Sequence, residues 1–158
     1  MTSIQYVTGD ATQPSGMGPR VIAHVCNDVG GWGRGFVVAI SRRWPEPEAD
    51  YRRWYRGREA NDFALGAVRL VKVEPDLFVA NMIGQRGVRG RPGRPPVRYD
   101  AIERALEPLA GEGSRLEASV HMPRIGCGLA GGDWAAIEPL IERTLVAAGI
   151  ETTVYDLA

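Results

Sequence analysis

Met122-Pro-Arg-Ile-Gly-Cys-Gly-Leu-Ala-Gly-Gly-Asp-Trp134 is the stretch that decides how this chain folds. The apolar residues leading into it, 118–122, predict a strand, and residues 134–148 read as an amphipathic helix. Between them, Gly126, Gly128, Gly131 and Gly132 let backbone approach a ligand without Cβ interference and permit positive φ. Asp133 is the residue type of a helix N-cap, and the helix behind it would aim free N–H groups and a positive dipole end at the loop. Strand, glycine loop and helix start in that order predict a phosphate site, and so a phosphorylated ligand such as a nucleotide.

The same order occurs earlier. Residues 21–25 form a short apolar run of the buried-strand type, 27–35 a loop with Gly30, Gly31, Gly33 and Gly35, and 36–44 a helix stopped before Pro45 and Pro47. Residues 48–58 place Tyr51, Trp54 and Tyr55 at helical spacing, which together with Trp44 favours packing over a base-stacking platform. Residues 4–8 alternate as a strand broken by Gly9-Asp10. Residues 67–73 and 77–83 flank Glu74-Pro75-Asp76 as a hairpin. A helix over 99–109 and a closing strand over 152–157 complete the pattern. Strands and helices alternate at both ends around that hairpin. The expectation is an α/β fold, a three-layer α/β/α sandwich with a mixed central sheet, with residues 1–158 as one domain.

Composition narrows the function. The chain has 158 residues, 44% hydrophobic and 24% charged, with a formal net charge of zero, so no global field draws it to nucleic acid or membrane. No apolar run reaches the roughly 18 residues of a membrane span. The first residues lack a basic region followed by an apolar one, so the expected location is cytoplasmic. Two cysteines, Cys26 and Cys127, and two histidines, with no Cys-x-x-Cys, argue against a structural metal, and no cofactor is expected. Lys72 is the single lysine and lies in a predicted strand. A Walker A loop is therefore excluded, and Gly31-x-Gly33-x-Gly35 lacks the Rossmann spacing.

These residues resemble the macrodomains, which bind ADP-ribose. The resemblance covers the whole chain. It rests on Gly9-Asp10, on His24-Val-Cys-Asn-Asp28 with the glycines to Gly35, on Pro123-Arg-Ile-Gly-Cys-Gly-Leu129 and on Thr153-Val-Tyr155. The branch it resembles contains terminal ADP-ribose protein glycohydrolase. The resemblance implies that Asp10 accepts the adenine amino group, with Ala11 beside it, and that Leu157 walls the base. It puts Asn27 beside the distal ribose, with His24 and Cys26 on the same strand end. Gly33, Gly35 and Phe36 would line the diphosphate from one side, and Ile125, Gly126, Cys127, Gly128, Leu129 and Ala130 from the other.

Two departures matter. Gln85 stands where that glycohydrolase has a nucleophilic lysine, and Ala130 where it has an aspartate, with Asp133 three residues on. These departures argue against a covalent lysine adduct, and hydrolysis would run through a water held by Asn27, Gln85 and a ligand phosphate oxygen, with Asp133 the third catalytic candidate. The leading expectation is a monomeric hydrolase releasing mono-ADP-ribose from protein, ester-linked to Glu or Asp, because a carboxylate is a good leaving group. Two alternatives stay open: a reader without turnover, and a hydrolase of ADP-ribose 1″-phosphate, O-acetyl-ADP-ribose or ADP-ribosylated DNA. For DNA, the loop with Arg86, Arg89, Arg91, Arg94 and Arg98 offers a basic patch, against its simpler reading as a solvated loop. Each of these residues also has a purely local role open to it: a turn residue for Asp10, an Asx turn for Asn27, an N-cap for Asp133, a polar loop residue for Gln85 and a small hydrophobe for Cys127.

Overall fold

A strand buried on both faces organises the molecule. The computed structural model describes residues 3–90 and 93–157. It contains β1 (Gln5–Thr8), β2 (Arg20–Asn27), α1 (Phe36–Arg43), α2 (Glu46–Arg56), β3 (Val68–Glu74), β4 (Leu77–Gln85), α3 (Tyr99–Leu116), β5 (Ser119–Met122), α4 (Trp134–Ile141) and β6 (Thr152–Asp156). The sheet order is β1-β6-β5-β2-β4-β3. Every neighbouring pair is parallel except the hairpin β3–β4. Val21 to His24 of β2 are buried in succession, without alternation, as a strand covered on both sides requires.

Successive side chains of β2 leave on opposite faces. Val21 and Ala23 join Ile102, Leu106 and Leu109 of α3 and Ile137 and Ile141 of α4 in one core. Ile22 and Cys26 join Val37 and Ile40 of α1 and Tyr51 and Trp54 of α2 in the other. Each fully buried Ile or Leu contributes about 1.5–3 kcal/mol. The result is the three-layer sandwich with a mixed sheet that the sequence predicts. Trp44, Tyr51 and Trp54 are packing residues within it.

Several element ends differ from the sequence reading, three of them for reasons the packing shows. α3 continues to Leu116 although Pro108 lies inside it, because its buried stripe runs unbroken from Ile102 through Leu106 and Leu109 to Gly113. Gly113 holds that place by fit: a Cβ there would sit 3.1 Å from Ile150 Cδ1. α4 stops at Ile141 and passes into a π-helical turn, Glu142–Val146. The Thr144 hydroxyl donates to Leu140 O at 2.8 Å, competing for a carbonyl of the α-ladder. Ala147 N then bonds Glu142 O, five residues back. β2 extends to Asn27 through an irregularity in register between Cys26 and Asn27. Among the described residues, no helix is long and apolar enough to cross a membrane.

Parallel pairing brings the carboxyl ends of β1, β6, β5, β2 and β4 to one rim. Five strands span about 19 Å at ~4.8 Å spacing. Along that rim stand, in spatial order, Asp10, Leu157, the loop after β5, the loop after β2, and Gln85. Lys72 pairs with Phe78 near the start of β4, so roughly 23 Å of strand separates its level from Gln85.

Both histidines are buried in the sheet. His121 Nδ1 meets the Tyr155 hydroxyl at 2.7 Å, and that hydroxyl accepts Ser15 N–H at 2.9 Å. This ties the loop carrying Asp10 to β5 and β6. Burial pushes the pKa of His24 down to about 4; burial and then Arg20 do the same to His121. In the unfolded chain both titrate near the ordinary histidine value of 6.5. A base with a depressed folded pKa is neutral when folded, so its full stability is present above the unfolded value. Stability is lost as pH falls from 6.5 towards 4, where only the unfolded chain takes up protons, by up to about 1.4 kcal/mol per pH unit for each histidine. Urea midpoints measured between pH 7.5 and 4.5 are expected to decline across this window, and the decline to shrink in His121→Gln. A flat profile would refute the assignment.

Candidate functional site

A cleft opens at that rim between the loops after β2 and β5. One part, of about 320 Å3, is lined by His24, Gly35, Phe36, Gln85 and the run from Pro123 to Ala130. A second, of about 390 Å3, is lined by Cys26, Asn27, Gly31, Trp32, Gly33, Val88 and Arg89. Val25, Arg34, Val37, Gln85 and Leu129 line both, so the two adjoin.

The loops are shaped by glycine at specific points. Gly35 has φ 84 and ψ −150, a conformation open essentially to glycine alone, and it starts α1 with no side-chain cap. The first-turn N–H groups of Phe36 and Val37 thus stand at the cleft wall without a side-chain acceptor, at the positive end of the helix dipole. In the second loop Gly132 N donates to Gly126 O at 2.8 Å, and a Cβ on Gly132 would collide with that oxygen. The loop closes on itself only because Gly132 carries no side chain.

The helix that offers its N-terminus is therefore α1. The sequence points to α4, whose first turn is capped by its own Asp133: Oδ1 accepts Ala135 N–H at 3.0 Å. Asp133 is exposed and does not line the cleft.

At the β2–β4 end, Asn27 organises its own loop. Its Oδ1 accepts N–H groups from Val29 and Gly31, both at 3.0 Å, and its Nδ2 donates to Gly31 O at 2.8 Å, while the Tyr51 hydroxyl donates to the Asn27 backbone carbonyl at 2.6 Å. One amide hydrogen is left for a ligand. Tyr51, buried in α2, also accepts Gly30 N–H at 3.1 Å, bracing the loop from below. Gln85 donates from Nε2 to Gly87 O at 2.8 Å and lines both parts of the cleft. His24 Nε2 faces Asn81 Oδ1 at 2.5 Å, while its Nδ1 is buried with no partner.

At the β1–β6 end, Asp10 Oδ1 accepts both the amide and the hydroxyl of Thr12, at 2.8 and 2.7 Å. Its Oδ2 has Arg43 NH2 at 3.9 Å. Burial raises the Asp10 carboxyl, but Thr12 and Arg43 outweigh it and hold the group below the usual carboxylate range. Oδ2 is the oxygen placed to accept a further amine. Ala11 is buried beside it and Leu157 is exposed beyond β6.

Cys26 and Cys127 are both free, and burial pushes both thiols up, against nucleophilic use at neutral pH. Among the described residues, no group of three His, Cys, Asp or Glu could hold a metal ion. The sequence reading did not single out Arg34, which lines both parts of the cleft; its signal is the one charge between Gly33 and Gly35. Arg86, Arg89, Arg94 and Arg98 line a neighbouring basin of about 320 Å3, and Arg89 belongs to both basin and cleft. Arg91 lies outside the described residues.

No protein-family model matches the chain. Its structure is similar to a macrodomain protein from Streptomyces coelicolor, with 60% sequence identity and a TM-score of 0.88 over 98% of this chain and 99% of that one. In sequence it is 31% identical to chromodomain-helicase-DNA-binding protein 1-like of Danio rerio and 34% identical to that of Mus musculus. Both alignments take in 98% of this chain but only 16% and 18% of those proteins, so the chain spans a small part of their length. It is 24% identical to an ADP-ribose 1″-phosphate phosphatase of Lodderomyces elongisporus, over 89% of this chain and 92% of that protein.

The two glycine classes separate by experiment. Gly132→Ala is expected to destabilise the fold by about 2 kcal/mol or more through overpacking against Gly126. Gly33, with open space around its Cβ position, is expected to accept alanine within about 0.5 kcal/mol. Thermal unfolding of the two variants checks both; equal losses would overturn the described loop geometry.

Proposed function

The chain belongs to the macrodomain family, and from that premise we propose that it holds ADP-ribose along the rim and hydrolyses it from modified macromolecules, the bond cleaved being an ester to a Glu or Asp side chain. The observation that carries this reading is the ordered rim. It sets an amine-accepting carboxylate, Asp10, at one end, glycine backbone and the start of α1 in the middle, and Asn27 with Gln85 at the other. An elongated ligand with a base, a diphosphate and a distal sugar fits that order. The similarity to an ADP-ribose 1″-phosphate phosphatase supports the same ligand class.

In this reading the reaction proceeds without lysine. Lys72 sits at the opposite end of the sheet from Gln85. A water held by Gln85, the spare amide hydrogen of Asn27 and a phosphate oxygen of the ligand attacks C1″ of the distal ribose. The C1″–O bond breaks, the carboxylate leaves, and the water's proton passes to the phosphate oxygen and then to solvent. Neither amide is a strong base, which suits a bond whose leaving group needs no protonation.

The test joins two measurements on one preparation: calorimetry with ADP-ribose, and release of ADP-ribose from glutamate-linked mono-ADP-ribosylated protein. Binding with release is expected. Gln85→Ala should lower release at least tenfold while retaining binding, whereas Asp133→Ala should lower stability by about 1 kcal/mol, as removal of a cap does. Binding without release would make the protein a reader. Absence of binding would sink the proposal.

A second reading rests on the arginine basin, which adjoins the cleft through Arg89. A nucleic-acid strand leaving the distal ribose would pass over it. Affinity for ADP-ribosylated DNA should then fall with salt, and Arg89→Ala with Arg94→Ala should reduce the log–log slope by about one for each phosphate no longer neutralised. An unchanged slope would remove nucleic acid from consideration.

A further inference from the structure

His24 does more than complete the cleft wall. The Pro47 carbonyl can only accept, so the Asn81 group 3.1 Å from it is the NH2. Asn81 Oδ1 therefore faces His24 Nε2, and an amide oxygen also can only accept, so Nε2 carries the ring proton. In the neutral ring, Nδ1 is then a bare lone pair. It is the one buried side-chain nitrogen or oxygen without a hydrogen-bond partner among the described residues. Leaving such an atom unsatisfied is costly, and native structures rarely do so without a reason. The ring does not turn away freely: Trp32 packs edge-on at 5.5 Å between centroids and Phe36 lies at 5.8 Å. His24 is also one of the residues that line the cleft, with Gly35, Phe36 and Ile125, and is only 1% exposed.

We infer that His24 Nδ1 is a positioning and specificity group for the ligand, accepting an O–H from a ribose hydroxyl or from a water the ligand brings, with its tautomer set by the Pro47–Asn81–His24 relay. The inference rests on the ADP-ribose reading of the cleft. An acceptor at this point repels a phosphate oxygen and attracts a hydroxyl. It therefore places a sugar against the ring and leaves the diphosphate to the backbone N–H groups of α1 and the loop after β5.

Two histidine mimics divide this role from a structural one. Asparagine puts a polar atom near the Nδ1 position and glutamine near the Nε2 position. If His24 serves the ligand, His24→Asn retains ADP-ribose affinity within about threefold while losing stability, and His24→Gln keeps stability but binds about tenfold more weakly, the effect of one missing hydrogen bond. The reverse order would overturn the inference. Nitrogen-15 NMR of the wild-type ring gives a readout that does not depend on a variant folding. On saturation with ADP-ribose, the Nδ1 resonance should move towards the range of a hydrogen-bonded nitrogen. Disappearance of that movement with one monodeoxy-ribose analogue identifies a ribose hydroxyl; its persistence with all of them identifies water, and both support the inference. Calorimetric binding with an unmoved Nδ1 would refute the inference alone, whereas no calorimetric binding would refute the ADP-ribose reading beneath it.

Discussion

Parallel pairing of β2 with β4 on one side and β5 on the other is the constraint on which the site depends. Because the strands run the same way, each loop that leaves a carboxyl end is delivered to a single rim. The loops after β2 and β5 come from distant parts of the chain, yet they leave adjacent strands about 4.8 Å apart and so face each other across the cleft. The cores on the two faces of β2 are what hold this arrangement, since a strand buried on both sides cannot slip by one residue without exchanging its whole set of side chains between cores.

Within the rim, polar atoms are allocated with little slack. Asn27 Oδ1 takes two backbone donors, Asp10 Oδ1 takes two from Thr12, and Asp133 closes its own helix. What is left over is informative: the uncapped first turn of α1, Asp10 Oδ2, one amide hydrogen of Asn27, and Nδ1 of His24. These are an anion site, two places for hydrogen-bonding groups and a lone-pair acceptor, spread along the rim rather than gathered at a point. The site is thus shaped for a long, chemically varied ligand more than for a compact one.

Much of the fold was legible because its signals are local. The apolar run of β2, the hairpin around Glu74-Pro75-Asp76 and the glycine loop entering α4 each have a periodicity or a turn chemistry that needs no tertiary partner. Element ends were less legible for the opposite reason. α3 outlasts Pro108 because the sheet rewards its buried stripe as far as Gly113, and the π-turn after Ile141 follows from where one threonine hydroxyl finds a carbonyl. Arg34 gives no periodic signal in the sequence because an exposed arginine has no pattern of its own; only the meeting of the two cleft walls gives it meaning.

Layer order, the glycine loops, the Asp133 cap and the resemblance to the macrodomains are readable from the chain alone, since these follow from spacing and from residue types that act within a few positions of themselves. Tertiary structure alone decided which helix start faces the cleft, how far Lys72 stands from Gln85, and that His24 is left with a bare nitrogen. Those depend on parallel register and on relays such as Pro47–Asn81–His24, which join residues dozens of positions apart and leave no periodic trace in the chain.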